Sequence, residues 1–362
     1  MKKLLRVLAI LIVLFMGAVA IAWFASADVR YIIRAGVAEA GILWRREPIE
    51  RVVADPRTDP RTRGKLLLVL AARSFASDAL GMPVKESFTT YSELERDTLV
   101  LVLSAARSDR LEPYLWRYPI VGRVPYKGFF SFEEASREAR KLERAGLDTY
   151  LRPASAFSTL GWFNDPLLST VIAYDSASLA ETVLHELAHN AVFVRNHVDF
   201  NESFAEFVGI RGAGQFFRAR GDSLLAARVE ARWRDERRLA VFYDGLYQRL
   251  AQLYARRGVL PAHMREARAA IFRQAATDLA GRVGAQLETI NGRWLAQQPL
   301  NNAVLLARRV YATELPRFDS ALAATGGDLR VFIERVRTET VEEGNPWRVL
   351  DRLARTPLPD GR

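Results

Sequence analysis

The sequence predicts an α+β fold, with a mixed sheet and helical part at 28–175 followed by an all-helical part at 176–340. Short apolar runs between residues 91 and 150 are typical of strands, whereas apolar residues after Asp175 recur at helical spacing to about Val336. Strands grouped before a long series of helices favour the α+β class over an alternating α/β fold. We expect residues 341–362 to form a C-terminal tail.

The composition excludes several kinds of site. The 362 residues, 49% of them hydrophobic, are enough for a large core. The net charge of +10 comes largely from arginine, but acidic residues are interleaved with it, as in Val229–Leu239. That pattern is typical of a solvated helix face, so we expect no nucleic-acid partner. The absence of cysteine excludes disulfides, thiolate metal sites, a cysteine nucleophile and a lipid-modified cysteine.

The first 27 residues resemble an export signal. Lys2, Lys3 and Arg6 precede an uncharged apolar run from Val7 to Phe24, and the sequence Ala-Ser-Ala at 25–27 matches a small-x-small cleavage site. A signal peptide that is cleaved and an N-terminal membrane anchor that is retained both fit this pattern. In either case we expect a periplasmic protein, free or held at the inner membrane.

The elements of the N-terminal part follow from local periodicity and turn residues. Helical spacing alternates with Asp-Pro turns up to residue 80, and β-rich runs follow it. The predicted helices are Arg30–Arg45, a short one in the PIERVVA segment at 48–54, Arg61–Leu80 and Phe132–Ala145. The predicted strands are Leu99–Ser104, Tyr118–Val124, Thr149–Arg152 and Val171–Tyr174.

The segment with the clearest chemistry is HELAH at 185–189. Ser178 and Glu181 have the spacing of a capping box, which predicts a helix that begins there and runs through His189. On that helix His185 and His189 lie one turn apart on the same face, and Glu186 is next to the first histidine. This is the H-E-x-x-H arrangement of zinc hydrolases.

These residue types suit hydrolysis by a metal-bound water. Neutral imidazoles hold Zn²⁺ and leave a position open for water, whose pKa on the metal falls to about 7. Glu186 would then act as general base and return the proton to the leaving amine. The pentapeptide also occurs by chance in unrelated helices, so two histidines hydrogen-bonded in a polar crevice are the alternative.

A third metal ligand is expected shortly after this helix. Asn201 is a candidate N-cap for a second helix, and Glu202 in its first turn can point back toward the histidines. We prefer Glu202 as the ligand and keep Glu206 and His197 as alternatives. Glu206, one turn further on, could instead orient a metal-binding histidine.

Two further features are candidates for substrate binding and catalysis. Tyr311, near the end of a late helix, could stabilise an oxyanion, with an ordinary core tyrosine as the alternative. A strand near Ser158–Leu160 or at Val171–Tyr174 could pair with an extended substrate, with a plain buried strand as the alternative.

The two metal-site elements together resemble the gluzincin metallopeptidases. HELAH is followed by FNESFAEF, which is similar to the N-E-x-x-A element of that group. The resemblance implies a zincin-like fold and makes Glu202 the third zinc ligand. The gap between the two elements is shorter here than in the gluzincin aminopeptidases, and their G-x-M-E-N exopeptidase motif is absent.

A resemblance to a bacterial family of predicted aminopeptidases extends over nearly the whole exported chain. It is carried by several long stretches, namely Arg45–Pro60, Arg73–Pro83, Tyr118–Phe130, Gly146–Leu151, Ser155–Thr170 and His185–Val194. Many members of that family are exported or lipid-anchored. The lipid-anchor cysteine often seen there is missing here.

The sequence therefore predicts an exported zinc metallopeptidase, an aminopeptidase by resemblance, that acts on peptides. The metal ligands would be His185, His189 and Glu202, and the catalytic residues Glu186 and Tyr311. Two other functions remain open. One is a membrane-associated binding or assembly protein with a structural or vestigial zinc site, and the other is a zinc amidase acting on cell-wall peptides.

Overall fold

The computed structural model of the chain describes residues 27–94, 100–118, 122–154, 166–256, 258 and 260–355, with the isolated positions 6, 17 and 24. Within these ranges it confirms the α+β class. The predicted export segment at 1–27 lies almost entirely outside them. No helix in the described part of the chain is long and apolar enough to cross a membrane.

Helices α1 to α5 alternate with strands in the N-terminal part, and helices α5 to α14 follow the last described strand. The N-terminal helices are α1 (Ala27–Trp44), α2 (Ile49–Ala54), α3 (Pro60–Asp78), α4 (Phe132–Arg144) and α5 (Ser169–Ile172). The later helices are α6 (Ser176–Ala191), α7 (Val198–Ala219), α8 (Ser223–Tyr254), α9 (Pro261–Ala280), α10 (Gly292–Gln297), α11 (Asn302–Tyr311), α12 (Leu315–Ala324), α13 (Leu329–Glu343) and α14 (Pro346–Arg355), with a short 3-10 helix at Gly284–Gln286.

The described strands form three small sheets. The strands are β1 (Glu47–Pro48), β2 (Thr90–Ser92), β3 (Val100–Arg107), β4 (Trp116–Tyr118), β5 (Gly122–Val124), β6 (Tyr126–Phe129), β7 (Leu147–Ala154) and β8 (Leu167–Leu168). The sheet orders are β1-β2-β8, β6-β3-β7 and β4-β5. In the second sheet β3 is central and pairs antiparallel with both neighbours.

The two faces of the β6-β3-β7 sheet have different partners. Leu103 and Ala105 on one face are buried with Phe129 and with Ala135 and Ala139 of α4. The other face carries Val102, Ser104 and the residues opposite them on β6 and β7. Helix α11 packs against the same sheet. Because side chains alternate along a strand, polar residues on that second face point away from α4.

The main hydrophobic core crosses the boundary that the sequence suggests at 175/176. It joins buried residues of α3, α6, α7, α12, α13 and α14. Val349, Leu350 and Leu353 of α14 are fully buried in it, so the described part of 341–362 belongs to the core. A smaller core lies between α8, α9, α10 and α11.

Two of the predicted strands are different in the structure. Val171–Tyr174 was expected to be a strand, but Val171 and Ile172 belong to helix α5 and are buried. A short apolar run that is buried on all sides has no periodicity to separate helix from strand, which explains the error. Tyr118–Val124 was expected to be one strand, but it contains the last residue of β4 and the whole of β5, which pair as antiparallel neighbours. The alternative substrate strand near Ser158–Leu160 lies outside the described residues.

Candidate metal centre

Helix α6 positions both histidines. It begins at Ser176 because the carboxylate of Asp175 accepts hydrogen bonds from the backbone N–H groups of Ala177 and Ser178. The expected cap at Ser178 is therefore wrong by three residues. Its proposed partner Glu181 does not reach back to the cap, since it is buried and pairs with Arg232 at 3.2 Å.

Helix α7 carries the acidic residues and is fixed to α6 by the loop between them. Asn201 was expected to cap α7, but the helix begins at Val198 and Asn201 lies within it. The amide of Asn201 accepts from the backbone N–H of Val194 at 2.8 Å and donates to the carbonyl of Val194 at 2.9 Å. This pair of bonds ties the loop to the first turn of α7, where Glu202 is the next residue.

The close approach of the two helices depends on a glycine. A Cβ atom at Gly209 would lie 2.9 Å from the carbonyl oxygen of Glu181 and 3.1 Å from the Cβ of His185. Any larger residue would push α7 away from the histidine. The absence of a side chain at Gly209 therefore helps to place the carboxylates of α7 beside the imidazoles of α6.

His185, His189 and Glu202 form a group that could hold a metal ion. One ligand atom from each lies within 4.8 Å of the others. The Nε2 of His185 is 3.5 Å from Oε2 of Glu202, and the Nε2 of His189 is 3.8 Å from Oε1. Two ligands at about 2.1 Å from a tetrahedral zinc are about 3.4 Å apart, so this spacing fits such an ion with small adjustments.

The charges around the imidazoles favour a cation at this position. Burial lowers the pKa of His185, but hydrogen bonds to Glu202 and Glu206 and nearby carboxylate charges outweigh it and raise the pKa to about 10. Burial and the neighbouring His185 lower the pKa of His189. Burial raises the pKa of Glu202, but the contacts with both histidines give a net lowering. The carboxylates around His185 thus stabilise one positive charge at this position. A proton on His185 supplies that charge, and a bound metal ion would supply it in the same way.

Glu206 holds the other side of His185. Its Oε2 lies 3.4 Å from the Nδ1 of His185, on the opposite ring edge from Glu202. A carboxylate at Nδ1 fixes the ring and leaves Nε2 as the nitrogen that faces the ligand group. Glu206 is therefore placed to orient His185, which is one of the two roles that the sequence suggests for it. His197 precedes α7 and is not part of the metal-binding group.

Near Glu206 lies a cluster of buried and partly buried charges, Glu181, Arg232 and Glu236, that the sequence did not indicate. Burial raises the pKa of Glu181 and of Glu236 to about 7, the charge of Glu206 adds to this, and Arg232 opposes it. The guanidinium of Arg232 lies 3.2 Å from Glu181 and 4.0 Å from Glu236. These residues come from two helices, α6 and α8, that are far apart in sequence, so no local pattern could have revealed the cluster.

Tyr311 lies beside the metal group. Its ring centroid is 6.4 Å from that of His185, and with 37% of its surface exposed it is not a core residue. Ser203, next to Glu202, fixes this end of α11, because its hydroxyl donates to the Val310 carbonyl and accepts from the Thr313 backbone N–H. Partial burial and the charge of Glu202 raise the pKa of Tyr311 to about 12, so its hydroxyl keeps its proton at neutral pH.

Two residues of the β6-β3-β7 sheet that were not predicted from sequence lie within electrostatic reach of the group. The charge of Arg152 lowers the pKa of Glu202 and opposes the rise in the pKa of Tyr311. Partial burial and the charge of Glu202 raise the pKa of Tyr126. Alternation along β7 places Asp148, Tyr150 and Arg152 on one face, but alternation alone does not show that this face is turned toward the metal group.

Glu186 follows His185 on α6 and is half-buried. Its negative charge contributes to the raised pKa of His185, which places its carboxylate within electrostatic reach of the imidazole. It is not a member of the ligand group formed by His185, His189 and Glu202. The role of Glu186 as general base stays a prediction from the sequence.

An open groove of about 650 Å³ lies apart from these residues, between α8, α9 and α12. Four of the five arginines that line it have carboxylate partners. Arg234 and Arg238 pair with Glu288, Arg237 pairs with Asp319, and Arg282 pairs with Asp278. We therefore place the functional site at His185, His189 and Glu202, whose possible ligand atoms all lie within 4.8 Å of one another.

The sequence model of a protein family described as "Putative aminopeptidase" matches residues 30–343. The chain belongs to this family. The match confirms the family resemblance expected from sequence and includes every residue of the metal group and its surroundings. No curated protein and no solved structure matches the chain. Membership in this aminopeptidase family suggests peptidase activity.

Proposed function

We propose that this protein is an exported, zinc-dependent aminopeptidase with a zincin-like site. The observation that carries the proposal is the meeting of His185, His189 and Glu202 from two closely packed helices. Two imidazoles and one carboxylate are the ligand set of catalytic zinc sites that keep a fourth position open. Export rests on the sequence of residues 1–27.

Zinc is the metal that the donor set fits best. The ligands are nitrogen and oxygen, they number three, and their separations of 3.5 and 3.8 Å approach those of a tetrahedral site. Calcium and magnesium prefer six or more oxygen ligands, which this group does not offer. Bound here, a zinc ion would polarise the scissile carbonyl and lower the pKa of water.

The residues of the chain have separate tasks in this proposal. Glu186 accepts the proton of the attacking water and passes it to the nitrogen of the leaving amine. Tyr311 donates a hydrogen bond to the oxygen that becomes negative as the carbonyl is attacked. Glu206 holds the ring of His185 so that its Nε2 remains directed at the ligand group.

The proposal is tested by peptide hydrolysis in the purified, zinc-loaded protein. A mixed peptide library, read by mass spectrometry, shows both whether cleavage occurs and at which end. We expect wild type to release N-terminal amino acids. Glu186→Gln should retain zinc and lose activity by at least ~10²-fold, the usual contribution of a general base.

Glu266→Gln is the matched control, because Glu266 is an exposed glutamate on α9 that is distant in sequence from the metal group. It should cleave as wild type does. Internal cuts without N-terminal release would replace aminopeptidase by endopeptidase. Equal cleavage by wild type and Glu186→Gln, or no cleavage of any peptide, would contradict the proposed mechanism.

A further inference from the structure

Arg152 is a half-buried arginine on strand β7. In the β6-β3-β7 sheet it lies opposite Val102, and Tyr126 lies opposite Ser104. Val102 and Ser104 are two residues apart on β3, so Arg152 and Tyr126 share one face of the sheet. That face is the one turned away from α4, because Leu103, between them, is buried against α4.

Helix α11 links this face of the sheet to the metal group. At its beginning, the side chain of Asn301 donates to the carbonyl of Thr149 on β7 at 2.9 Å. At its end, Tyr311 lies beside His185. The charge of Arg152 lowers the pKa of Glu202 and opposes the rise in the pKa of Tyr311 and Tyr126. The guanidinium therefore lies within electrostatic reach of the ligand group, on the side of the sheet.

Arg152 has no carboxylate partner among the described residues. No Asp or Glu oxygen of those residues lies within 4.0 Å of its guanidinium. The charge of Arg152 lowers the pKa of Glu202, but the carboxylate oxygens of Glu202 contact His185 and His189 and not Arg152. A half-buried guanidinium loses part of its hydration, and this loss is usually offset by an anion. Among the described residues, the charge of Arg152 is therefore open to an anionic ligand.

We propose that Arg152 binds a carboxylate of the substrate, and that the enzyme acts on short peptides whose free C-terminal carboxylate lies near the scissile bond. This inference rests on the proposed function. An arginine can bind a carboxylate through two parallel hydrogen bonds, which gives direction as well as affinity. Arg152, Tyr311 and His185 are successive neighbours, and an extended peptide advances about 3.3–3.6 Å per residue. The bound carboxylate would therefore be only a few residues from the cleaved bond.

The test measures binding without turnover. In the zinc-loaded Glu186→Gln protein, calorimetry would compare trialanine with trialanine amide, which differ only in the terminal charge. We expect the free acid to bind ~10- to 100-fold more tightly, as for hydrogen bonds to a charged group. Adding Arg152→Gln should bring the ratio of the two affinities close to one. Arg152→Lys, which keeps the charge but not the bidentate geometry, should retain part of the preference.

Arg144→Gln, an exposed arginine at the end of α4, is the matched control and should retain the full preference. A third peptide, with a C-terminal amide and a glutamate side chain, distinguishes the source of the carboxylate. If only trialanine shows the Arg152-dependent gain, the terminal carboxylate is the ligand. If the glutamate peptide shows it equally, the same site also accepts an acidic side chain.

Equal binding of trialanine and its amide in the protein with Arg152 intact would overturn the inference. So would a preference that survives in Arg152→Gln. Its failure is distinguishable from failure of the proposed function. Hydrolysis without a carboxylate preference would leave the peptidase and remove the role of Arg152. An Arg152-dependent preference without any hydrolysis in wild type would leave a carboxylate site and remove the peptidase.

Discussion

The two helices that carry the proposed metal ligands pack tightly against each other, whereas the β6-β3-β7 sheet is joined to them through α11. We call α6 and α7, with His185, His189 and Glu202, the helix side of the centre. The sheet side consists of Tyr126, Arg152 and Tyr311. The helix side has an excess of carboxylates near the imidazoles, while the sheet side offers a guanidinium and two phenols.

This difference suggests a division of work. Carboxylates around imidazoles stabilise a cation, so the helix side is suited to holding the metal. Hydrogen-bond donors are suited to a substrate carbonyl and carboxylate, so the sheet side is suited to binding and turnover. Variants on the helix side should therefore change metal affinity or stability, and variants on the sheet side should change catalysis with the metal still bound.

The largest effect is expected on the sheet side, from Tyr311→Phe. Loss of one donor to a developing oxyanion typically reduces kcat ~10²–10³-fold. Zinc content should not change, because Tyr311 is not in the ligand group. Steady-state kinetics together with elemental analysis would measure both quantities. Unchanged kcat, or loss of zinc, would show that the two sides are not separate in function.

The next effect is expected on the helix side, from Glu206→Leu. Without a carboxylate at Nδ1, the ring of His185 loses the partner that orients it. Replacing such a partner typically weakens metal binding ~10- to 100-fold. Competition with a chelator of known affinity would measure the change. Glu206→Gln keeps an acceptor oxygen and should lose less, and equal affinity in all three proteins would contradict the orienting role.

A smaller effect on stability is expected from Gly209→Ala. The added Cβ would meet the Glu181 carbonyl oxygen at 2.9 Å, and overpacking of this kind costs ~1–3 kcal/mol. The better helix propensity of alanine offsets about 1 kcal/mol, so the net loss should be about 1 kcal/mol. Gly245→Ala on α8 is the control, because nothing lies within 4 Å of its Cβ position. It should raise the free energy of unfolding, so the two variants should differ in sign in urea titrations.

The smallest effect is expected away from both sides, at the surface ion pairs of Glu288. Hydrogen bonds from Arg234 and Arg238 lower the pKa of Glu288 to about 2, from a usual value of 4.5. A carboxylate with a lowered pKa stabilises the fold above pH 4.5, and this contribution is lost as the pH falls toward 2. Glu288→Gln should thus be slightly less stable than wild type at pH 7 and equal to it near pH 2. A deficit that grows in acid would contradict this sign.

The helix side could be largely predicted from sequence because its geometry is local. Two histidines four residues apart must share a helix face, and Glu202 in the next helix is close in sequence. The details of capping were harder to predict. Asp175 and Ser178 both suit an N-cap, and only the folded backbone shows which one is used. Asn201 resembles a cap but serves to tie the loop at Val194 to its helix.

The sheet side could not be predicted in the same way because it depends on strand register. Arg152 reaches the centre only because β7 pairs with β3 in one register, and a shift by one residue would turn it toward α4. Tyr126 depends on the register of β6 in the same way. Tyr311 was a candidate from sequence, but its place beside His185 results from contacts with Ser203 across more than a hundred residues of chain.

Zinc content is the measurement that tests the central claim most directly. Elemental analysis of the purified protein should find one zinc ion per chain in wild type and in Glu186→Gln. His189→Ala and Glu202→Ala, which each remove one ligand, should have lost it, whereas His197→Ala should retain it. No zinc in wild type, or full zinc in His189→Ala, would contradict the assignment of His185, His189 and Glu202 as a catalytic metal centre.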